Sequence, residues 1–293
     1  MGRNDAADDF ADCVAKRTGY DTVARTSLML AIMVIPVAVG CITALLMMRS
    51  GMDSFDIARD GKIIATIGIA TECTIASYLL FMMTRRSRRH QKRDIVWMNA
   101  LADYAESQGA DVRKLRDLSK AASKRKGSVN YTTSGMIWLF SALYLVLVGI
   151  MSYQKADIIN EHMLMIAGAS YILVLIQFIL SAGSTSRFPG RHDRIQCEFT
   201  GELSKSLRSA GIYSEPMRRS AGNLHPAINT FLFIITLGLF SIPLVIKANV
   251  ELNRHIKTQW KYESDMLTRI IKAQGATGIE IAPASDKKKE KEL

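Results

Sequence analysis

The feature that most constrains the fold is a set of five apolar segments of about 20 residues each, from which charge is almost absent. Of the 38 basic and 27 acidic residues in this 293-residue chain, only Glu72 falls inside a segment. An apolar helix of about 20 residues spans the roughly 30 Å hydrocarbon core of a bilayer. The sequence therefore predicts an all-α, multi-pass helical membrane protein of about five transmembrane helices, and it excludes a single soluble domain. The segments are residues 27–48, 63–83, 135–153, 163–182 and 227–246.

The distribution of basic residues between these segments predicts the orientation of the chain. Residues 84–134 contain 13 basic and 5 acidic side chains, a net charge of +8, whereas residues 49–62 and 154–162 carry net charges of 0 and −1. Because basic loops stay in the cytoplasm, residues 84–134 and the N-terminus are predicted to be cytoplasmic, with the chain in the plasma membrane. Five full crossings would then export the C-terminal tail. Gly238 and Pro243 leave a kinked or re-entrant fifth segment as the alternative.

These assignments divide the chain into seven regions, in which membrane hairpins alternate with amphipathic cytoplasmic helices. The last region ends in the charged, low-complexity sequence DKKKEKEL, whose composition is typical of disorder. The regions are a cytoplasmic N-terminal segment (1–26), a first transmembrane hairpin (27–83), a basic helical segment (84–134), a second hairpin (135–182), a second cytoplasmic helical segment (183–226), the fifth apolar segment (227–246), and an amphipathic helix with the charged tail (247–293).

An internal repeat follows three of the apolar segments. Each copy starts with an Arg-His pair and continues with an aromatic residue 7 positions, an aliphatic residue 11 positions and a glycine 19 or 20 positions after the histidine. This spacing predicts an amphipathic helix that ends at a glycine in the left-handed conformation. In the first two copies a second basic segment, 112–126 or 214–219, predicts a helical hairpin. The matched residues are His90, Trp97, Leu101 and Gly109; His192, Phe199, Leu203 and Gly211; and His255, Tyr262, Met266 and Gly275.

The apolar stripe of the repeat has two interpretations. It is either the buried side of a small helical subdomain or a face that docks the helix of a protein partner or of a second copy of the chain. The second interpretation predicts partner-docking residues, namely Trp97, Leu101, Phe199, Leu203, Tyr262 and Met266.

A block of basic residues directly after the second apolar segment predicts contact with lipid. Juxtamembrane Lys and Arg side chains are attracted to the anionic headgroups of the cytoplasmic leaflet, so this composition requires no nucleic-acid partner. The predicted lipid-anchoring residues are Arg85, Arg86, Arg88, Arg89, Lys92 and Arg93.

Glu72 is the one charge that the predicted membrane segments must accommodate. A carboxylate in the bilayer is costly unless it is protonated or turned toward polar groups, and Gln177 and Tyr171 in the fourth segment are candidate partners. Such a residue serves either a transport function or a structural hydrogen bond between helices.

The sequence shows no pattern typical of catalysis or metal binding. Its histidines lack closely spaced Cys, His or acidic partners of the kind found in metal motifs, and phosphate-binding glycine loops are absent from the sequence. We therefore predict a protein that is not an enzyme, with no catalytic residues, no metal site and no cofactor. The histidines are His90, His162, His192, His225 and His255.

Two segments resemble known families. Residues 188–195 read FPGRHDRI and lead into an apolar stripe that closes at Gly211. This order resembles the inner-membrane platform proteins of type II secretion and type IV pilus systems, to which residues 97–109 are also similar, and it implies an assembly platform. Residues 225–255, with Thr-Leu-Gly followed by Asn-Arg-His, resemble small prokaryotic membrane families of unknown function and imply no activity.

Together these observations favour a non-catalytic integral membrane scaffold or assembly platform that docks a partner through repeated cytoplasmic helices. One alternative is a small transporter or channel that uses Glu72. A second alternative is a membrane organiser that binds anionic lipid.

Overall fold

The computed structural model describes residues 3–49, 54–124, 188–209, 211–221 and 241–275, together with single positions between these ranges. Every regular element in the described ranges is an α-helix, which confirms the all-α prediction. The helices are α1 (Arg3–Ala15), α2 (Arg17–Tyr20), α3 (Thr26–Arg49), α4 (Ser54–Ser107), α5 (Arg113–Lys124), α6 (188–209) and α7 (Ser241–Gly275).

Two of the helices join apolar segments to repeat copies without a break. The 54 residues of α4 contain the whole second apolar segment and the first repeat copy. The 35 residues of α7 contain the end of the fifth segment and the third copy, with Pro243 in its first turn, where a missing N–H costs least. Before the repeat copies begin, side chains of α7 pack on α3 and α4 through a separate apolar cluster. The repeat bundle is therefore continuous with the apolar helices.

The three repeat copies pack against one another in register. The ring of Trp97 lies 5.8 Å from that of Phe199 and 6.1 Å from that of Tyr262, measured between centroids. Leu101, Leu203 and Met266 form the next layer, and each is at most 1% exposed. Equivalent residues meet because the three helices present the same stripe at the same height. The contacts support the repeat inferred from the sequence.

The N-terminal helix completes this core. The apolar residues of α1 recur at helical spacing, and Phe10 is fully buried against α4 and α7. Residues 1–26 were predicted only as a cytoplasmic segment, so their contribution to the core is a finding of the structure.

Two repeat glycines end their helices as predicted. Gly109 and Gly211 have φ angles of 79° and 77°, a region that favours glycine. After each glycine, the next N–H bonds to a carbonyl five residues back: Ala110 to Ala105 at 3.1 Å, and Ile212 to Leu207 at 2.9 Å. The glycine N–H bonds three residues back, which completes a Schellman motif in both copies.

The second half of repeat copy 2 differs from the prediction. Residues 212–221 are not helical, whereas the corresponding segment of copy 1 forms α5. Pro216 lacks an N–H and disfavours a helical residue before it. Side chains of α6 instead accept hydrogen bonds from the backbone of this segment. Met217 N–H donates to the Thr200 hydroxyl, and Ser220 N–H donates to the Asp193 carboxylate at 2.8 Å.

Among the described residues, one helix is long and apolar enough to cross a membrane. Its span is Thr26–Thr43 within α3, of which 12% is buried. Large aliphatic side chains cover the remaining surface, including Ile35, Val39 and Leu45, which are 56–61% exposed. A surface of this kind is typical of contact with lipid or with another apolar helix.

The third repeat copy lies on the same side as the first two. The ring of His255 is 5.2 Å from the rings of both His90 and His192. A single membrane crossing by residues 227–246 would separate these side chains by the thickness of a bilayer. Five full crossings that export residues 254–275 are incompatible with this contact, whereas the re-entrant alternative is compatible with it.

Candidate metal centre

The histidine of each repeat copy points into the bundle, where all three meet Asp94. The centroids of the three imidazole rings are 5.1–5.2 Å apart. Asp94 lies one turn after His90 on α4, so its carboxylate reaches the same height. One nitrogen from each histidine and one carboxylate oxygen lie within 4.8 Å of one another, and all four residues are buried.

Two of the histidines are held by carboxylates behind them. His90 Nδ1 lies 2.9 Å from Asp21 Oδ1, and His255 Nδ1 lies 2.9 Å from Asp193 Oδ1. Because an ionised carboxylate only accepts, each Nδ1 carries the proton and each Nε2 is left with a lone pair when the ring is neutral. Among the described residues, neither buried Nε2 has a hydrogen-bond partner. A carboxylate behind a histidine is the usual support of a metal ligand.

The third histidine contacts the carboxylate directly. His192 Nε2 bonds to Asp94 Oδ2, and the ring of Phe188 stacks on the imidazole with centroids 5.1 Å apart and an interplanar angle of 13°. Stacking fixes the plane of the ring, so His192 presents its Nε2 to the cluster.

Amide side chains orient Asp94. The position four residues after each repeat histidine is Asp94, Gln196 or Gln259. The amide groups donate to the carboxylate, Gln196 to Oδ2 at 2.5 Å and Gln259 to Oδ1 at 2.6 Å, and Gln196 also donates to Gln259 at 3.1 Å. This second repeat layer is a hydrogen-bonded support for the fourth member of the cluster.

An arginine links the cluster to a further buried acid. Arg93 bonds to Asp21 Oδ2 at 2.5 Å and to Glu263 Oε2, and Glu263 accepts from Gln259 at 2.9 Å. Burial raises the pKa of Glu263 to about 7, against the opposing effect of Arg93. The Arg93 guanidinium is therefore paired with the carboxylates of Asp21 and Glu263, and it does not by itself neutralise the negative charge of the cluster.

The electrostatics of the cluster favour a cation. Burial opposes ionisation of Asp94, but His90 and His192 and the hydrogen bonds from Gln259 and His192 outweigh it and lower the pKa of its carboxyl. The pKa of His90 is raised by Asp94 and Asp21 despite its burial, whereas burial lowers the pKa of His255 to about 4. Ionised carboxylates therefore surround a buried space in which at least one imidazole is neutral.

The donor set is that of a first-row transition metal. Three imidazole nitrogens and one carboxylate oxygen form a common zinc coordination sphere, with bond lengths of about 2.0–2.2 Å. Tetrahedral bonds of that length place ligand atoms roughly 3.3–3.6 Å apart. The four atoms lie within 4.8 Å of one another, so most of the approach that an ion would require is already made. Because the cluster contains no thiolate, it is poorly suited to the softest metals.

The residues predicted to dock a partner are all in the interior. Trp97, Leu101, Phe199 and Leu203 are fully buried, Met266 is 1% exposed, and Tyr262 packs against the same core. The hydrophobic effect has directed the stripe inward, so these side chains form the buried side of a helical subdomain and offer no docking face.

The predicted lipid-anchoring block divides between surface and interior. Arg85, Arg88, Arg89 and Lys92 are exposed. Arg93 instead forms the buried ion pairs described above, and Arg86 donates to Asn249 at 2.6 Å, to Asn253 at 2.7 Å and to the carbonyl of Thr22. These two arginines tie α4 to α7 and to the α2–α3 loop and are unavailable to lipid.

Other predicted residues lie outside the described part of the chain. They are Gln177, Tyr171, His162 and His225, together with the side chain of Glu72, whose backbone belongs to α4.

The sequence predicts no metal site, whereas the structure brings together four residues that could hold a metal ion. The ligands are distant in sequence, so local spacing does not reveal them. The repeat itself indicates the cluster. In each copy the histidine lies on the same helical stripe as the aromatic and leucine positions, so packing the three stripes against one another brings the three histidines together. Asp21 and Asp193, which support the cluster, have no comparable signal.

Comparison of the chain with protein-family models, with curated protein sequences and with solved structures found no match. The resemblance to secretion and pilus platform proteins stays an expectation drawn from residues 188–211 and 97–109.

Proposed function

We propose that this chain is a multi-pass membrane protein whose three repeat helices bind one zinc ion at the membrane face of a cytoplasmic bundle. The observation that carries the proposal is the pair of buried Nε2 atoms of His90 and His255. Each lacks a hydrogen-bond partner among the described residues, although His90 Nε2 faces Asp94 Oδ2 at 3.5 Å, and each belongs to a ring held by a carboxylate on its other nitrogen. Burying unsatisfied polar atoms is unfavourable, and a bound cation would remove that cost.

The geometry favours a structural ion over a catalytic one. Four protein ligands complete a tetrahedral zinc sphere, whereas catalytic zinc keeps one position for water or substrate. The four residues are at most 7% exposed, and the ion would join α4, α6 and α7 at the start of their repeat copies. The proposed role is therefore that of a non-catalytic scaffold in which zinc fixes how these helices leave the membrane.

The proposed membrane location rests on the apolar surface of the described helices. Besides α3, single described positions of the third to fifth apolar segments, including Val146, Ile172 and Phe231, expose 57–62% of their surface. Exposed aliphatic surface of this extent is favourable in lipid and unfavourable in water.

Metal analysis of the full-length protein tests the zinc proposal. Protein purified without added chelator is expected to contain one zinc ion per chain by elemental analysis. His90→Ala and His255→Ala should reduce the content to background, because each removes a ligand. Asp193→Asn removes no ligand but should weaken zinc affinity about 10- to 100-fold through the orientation of His255.

The control for this experiment is Lys257→Ala, an exposed position on α7 close to His255. It should retain the zinc content of the wild type. Wild-type protein that takes up no zinc, even after zinc is added, would overturn the proposal, and so would full zinc retention by the two histidine variants.

The position of the third repeat copy leads to a labelling prediction. In a chain from which the four native cysteines have been removed, cysteines introduced at exposed Lys120 on α5 and exposed Lys272 on α7 should behave alike. A membrane-impermeant maleimide should label neither in intact cells and both after the membrane is opened. Labelling of the Lys272→Cys chain alone in intact cells would contradict the same-side packing of α4 and α7.

A further inference from the structure

The arginines of the three Arg-His pairs point away from the histidine cluster. Arg89, Arg191 and Arg254 are exposed, while the histidine that follows each of them is buried. Among the described residues Arg89 and Arg191 have no acidic partner, and Arg254 pairs with Glu251 at 3.2 Å. The repeat that directs three imidazoles inward therefore places three guanidinium groups around the outside at the same height.

A helix that returns along α4 adds further cations to this ring. In α5, Ser119 bonds to Asn99, and three residues later the carbonyl of Ala122 accepts from Gln91, so α5 runs antiparallel to α4. Exposed Lys120 and Lys124 thereby approach the exposed part of the basic block at Arg88 and Lys92. We call the exposed cations at this height the basic collar. They are Arg85, Arg88, Arg89, Lys92, Lys120, Lys124, Arg191 and Arg254.

Three acidic residues near the Arg-His pairs are turned inward. Asp21, Asp94 and Asp193 face the histidine cluster and are at most 2% exposed. At the far end of the bundle two of the exposed cations share one acid: Lys114 and Lys205 both pair with Glu202, each at 2.8 Å. The basic collar thus places eight exposed cations at the end of the bundle from which the apolar helices emerge.

The location of the basic collar indicates which kind of partner it binds. Arg89 lies six residues after Met83, the last residue of the second apolar segment, on the same helix, which is about 9 Å along the axis. This distance is comparable to the screening length at physiological salt, within which surface cations are attracted to an anionic leaflet. We propose that the basic collar binds the headgroups of anionic phospholipids and sets the height of the bundle above the bilayer, an inference that rests on the proposed membrane location.

The test uses full-length protein in neutral detergent, titrated with phosphatidylglycerol or with phosphatidylcholine. Wild-type protein should bind phosphatidylglycerol preferentially, and the preference should weaken as salt increases. The variant Arg89→Gln/Arg191→Gln/Arg254→Gln should lose affinity for phosphatidylglycerol on the order of 10- to 100-fold, since each cation contributes up to about fivefold near an anionic surface.

The matched control removes the same charge from the far end of the bundle. Lys114→Gln/Lys205→Gln/Lys272→Gln replaces three exposed lysines that lie outside the basic collar and should bind phosphatidylglycerol like the wild type. Zinc content is measured on both triple variants, so that loss of lipid binding with zinc retained reports on the basic collar and not on the fold. Equal affinity of the two triple variants, equal binding of both lipids, or tighter binding of an RNA oligomer than of phosphatidylglycerol would overturn the proposal.

Discussion

Removal of zinc by a chelator is expected to lower the free energy of unfolding of the bundle by about 4 kcal/mol, the contribution of a ligand present at 1,000 times its dissociation constant. The ligands come from three helices that are brought together only in the folded chain, so the ion binds the folded state and not the unfolded one. Thermal unfolding followed by helical circular dichroism, with and without chelator, measures the effect.

His255→Ala is the informative control for the chelation experiment. It should unfold at the same temperature with and without chelator, because it has already lost a ligand. Zinc added back should restore the wild type and leave the variant unchanged. If chelation does not shift the unfolding of the wild type, the cluster is a hydrogen-bonded network without a structural ion.

Replacing Arg93 with methionine is expected to destabilise the bundle by about 3–5 kcal/mol, the usual cost of breaking a buried ion pair by removing one partner. Arg93 is 4% exposed and bonds to Asp21 and Glu263, so its loss leaves two acids in the interior without their cation. Methionine keeps most of the apolar volume of the stem, which limits the effect to the charge. Denaturant or thermal unfolding of the variant measures the change.

Two further variants separate the ion pair from other effects at Arg93. Arg89→Met removes an exposed arginine from the same helix and should change the free energy of unfolding by less than about 0.5 kcal/mol. Arg93→Met/Glu263→Gln should be more stable than Arg93→Met, because one uncompensated acid has been removed. Equal stability of Arg93→Met and Arg89→Met would show that the buried pairs contribute nothing.

Much of the fold could be predicted from the sequence because it depends on local periodicity. The apolar stripe fixed the helical register of Trp97, Phe199 and Tyr262, and the conformational freedom of glycine identified Gly109 and Gly211 as helix ends. The same argument failed for residues 212–221, where side chains of α6 satisfy the backbone in place of a helix.

The candidate metal centre could not be predicted from local spacing because it depends on packing between distant segments. His90 and Asp94 share one face of α4, but nothing in their sequence neighbourhood indicates His192, His255 or the supporting Asp193. Charge patterning likewise predicts that Arg86 and Arg93 contact lipid together with their exposed neighbours, whereas both side chains are buried in the structure. Burial of a basic residue depends on acids and amides contributed by other helices, which a sequence window does not contain.

X-ray absorption at the zinc edge of the purified full-length protein tests whether the repeat histidines and Asp94 hold one metal ion. We expect a first shell of three imidazole nitrogens and one carboxylate oxygen at about 2.0–2.2 Å. A spectrum of fully hydrated zinc, a shell containing sulfur, or a protein that holds no zinc would contradict this expectation.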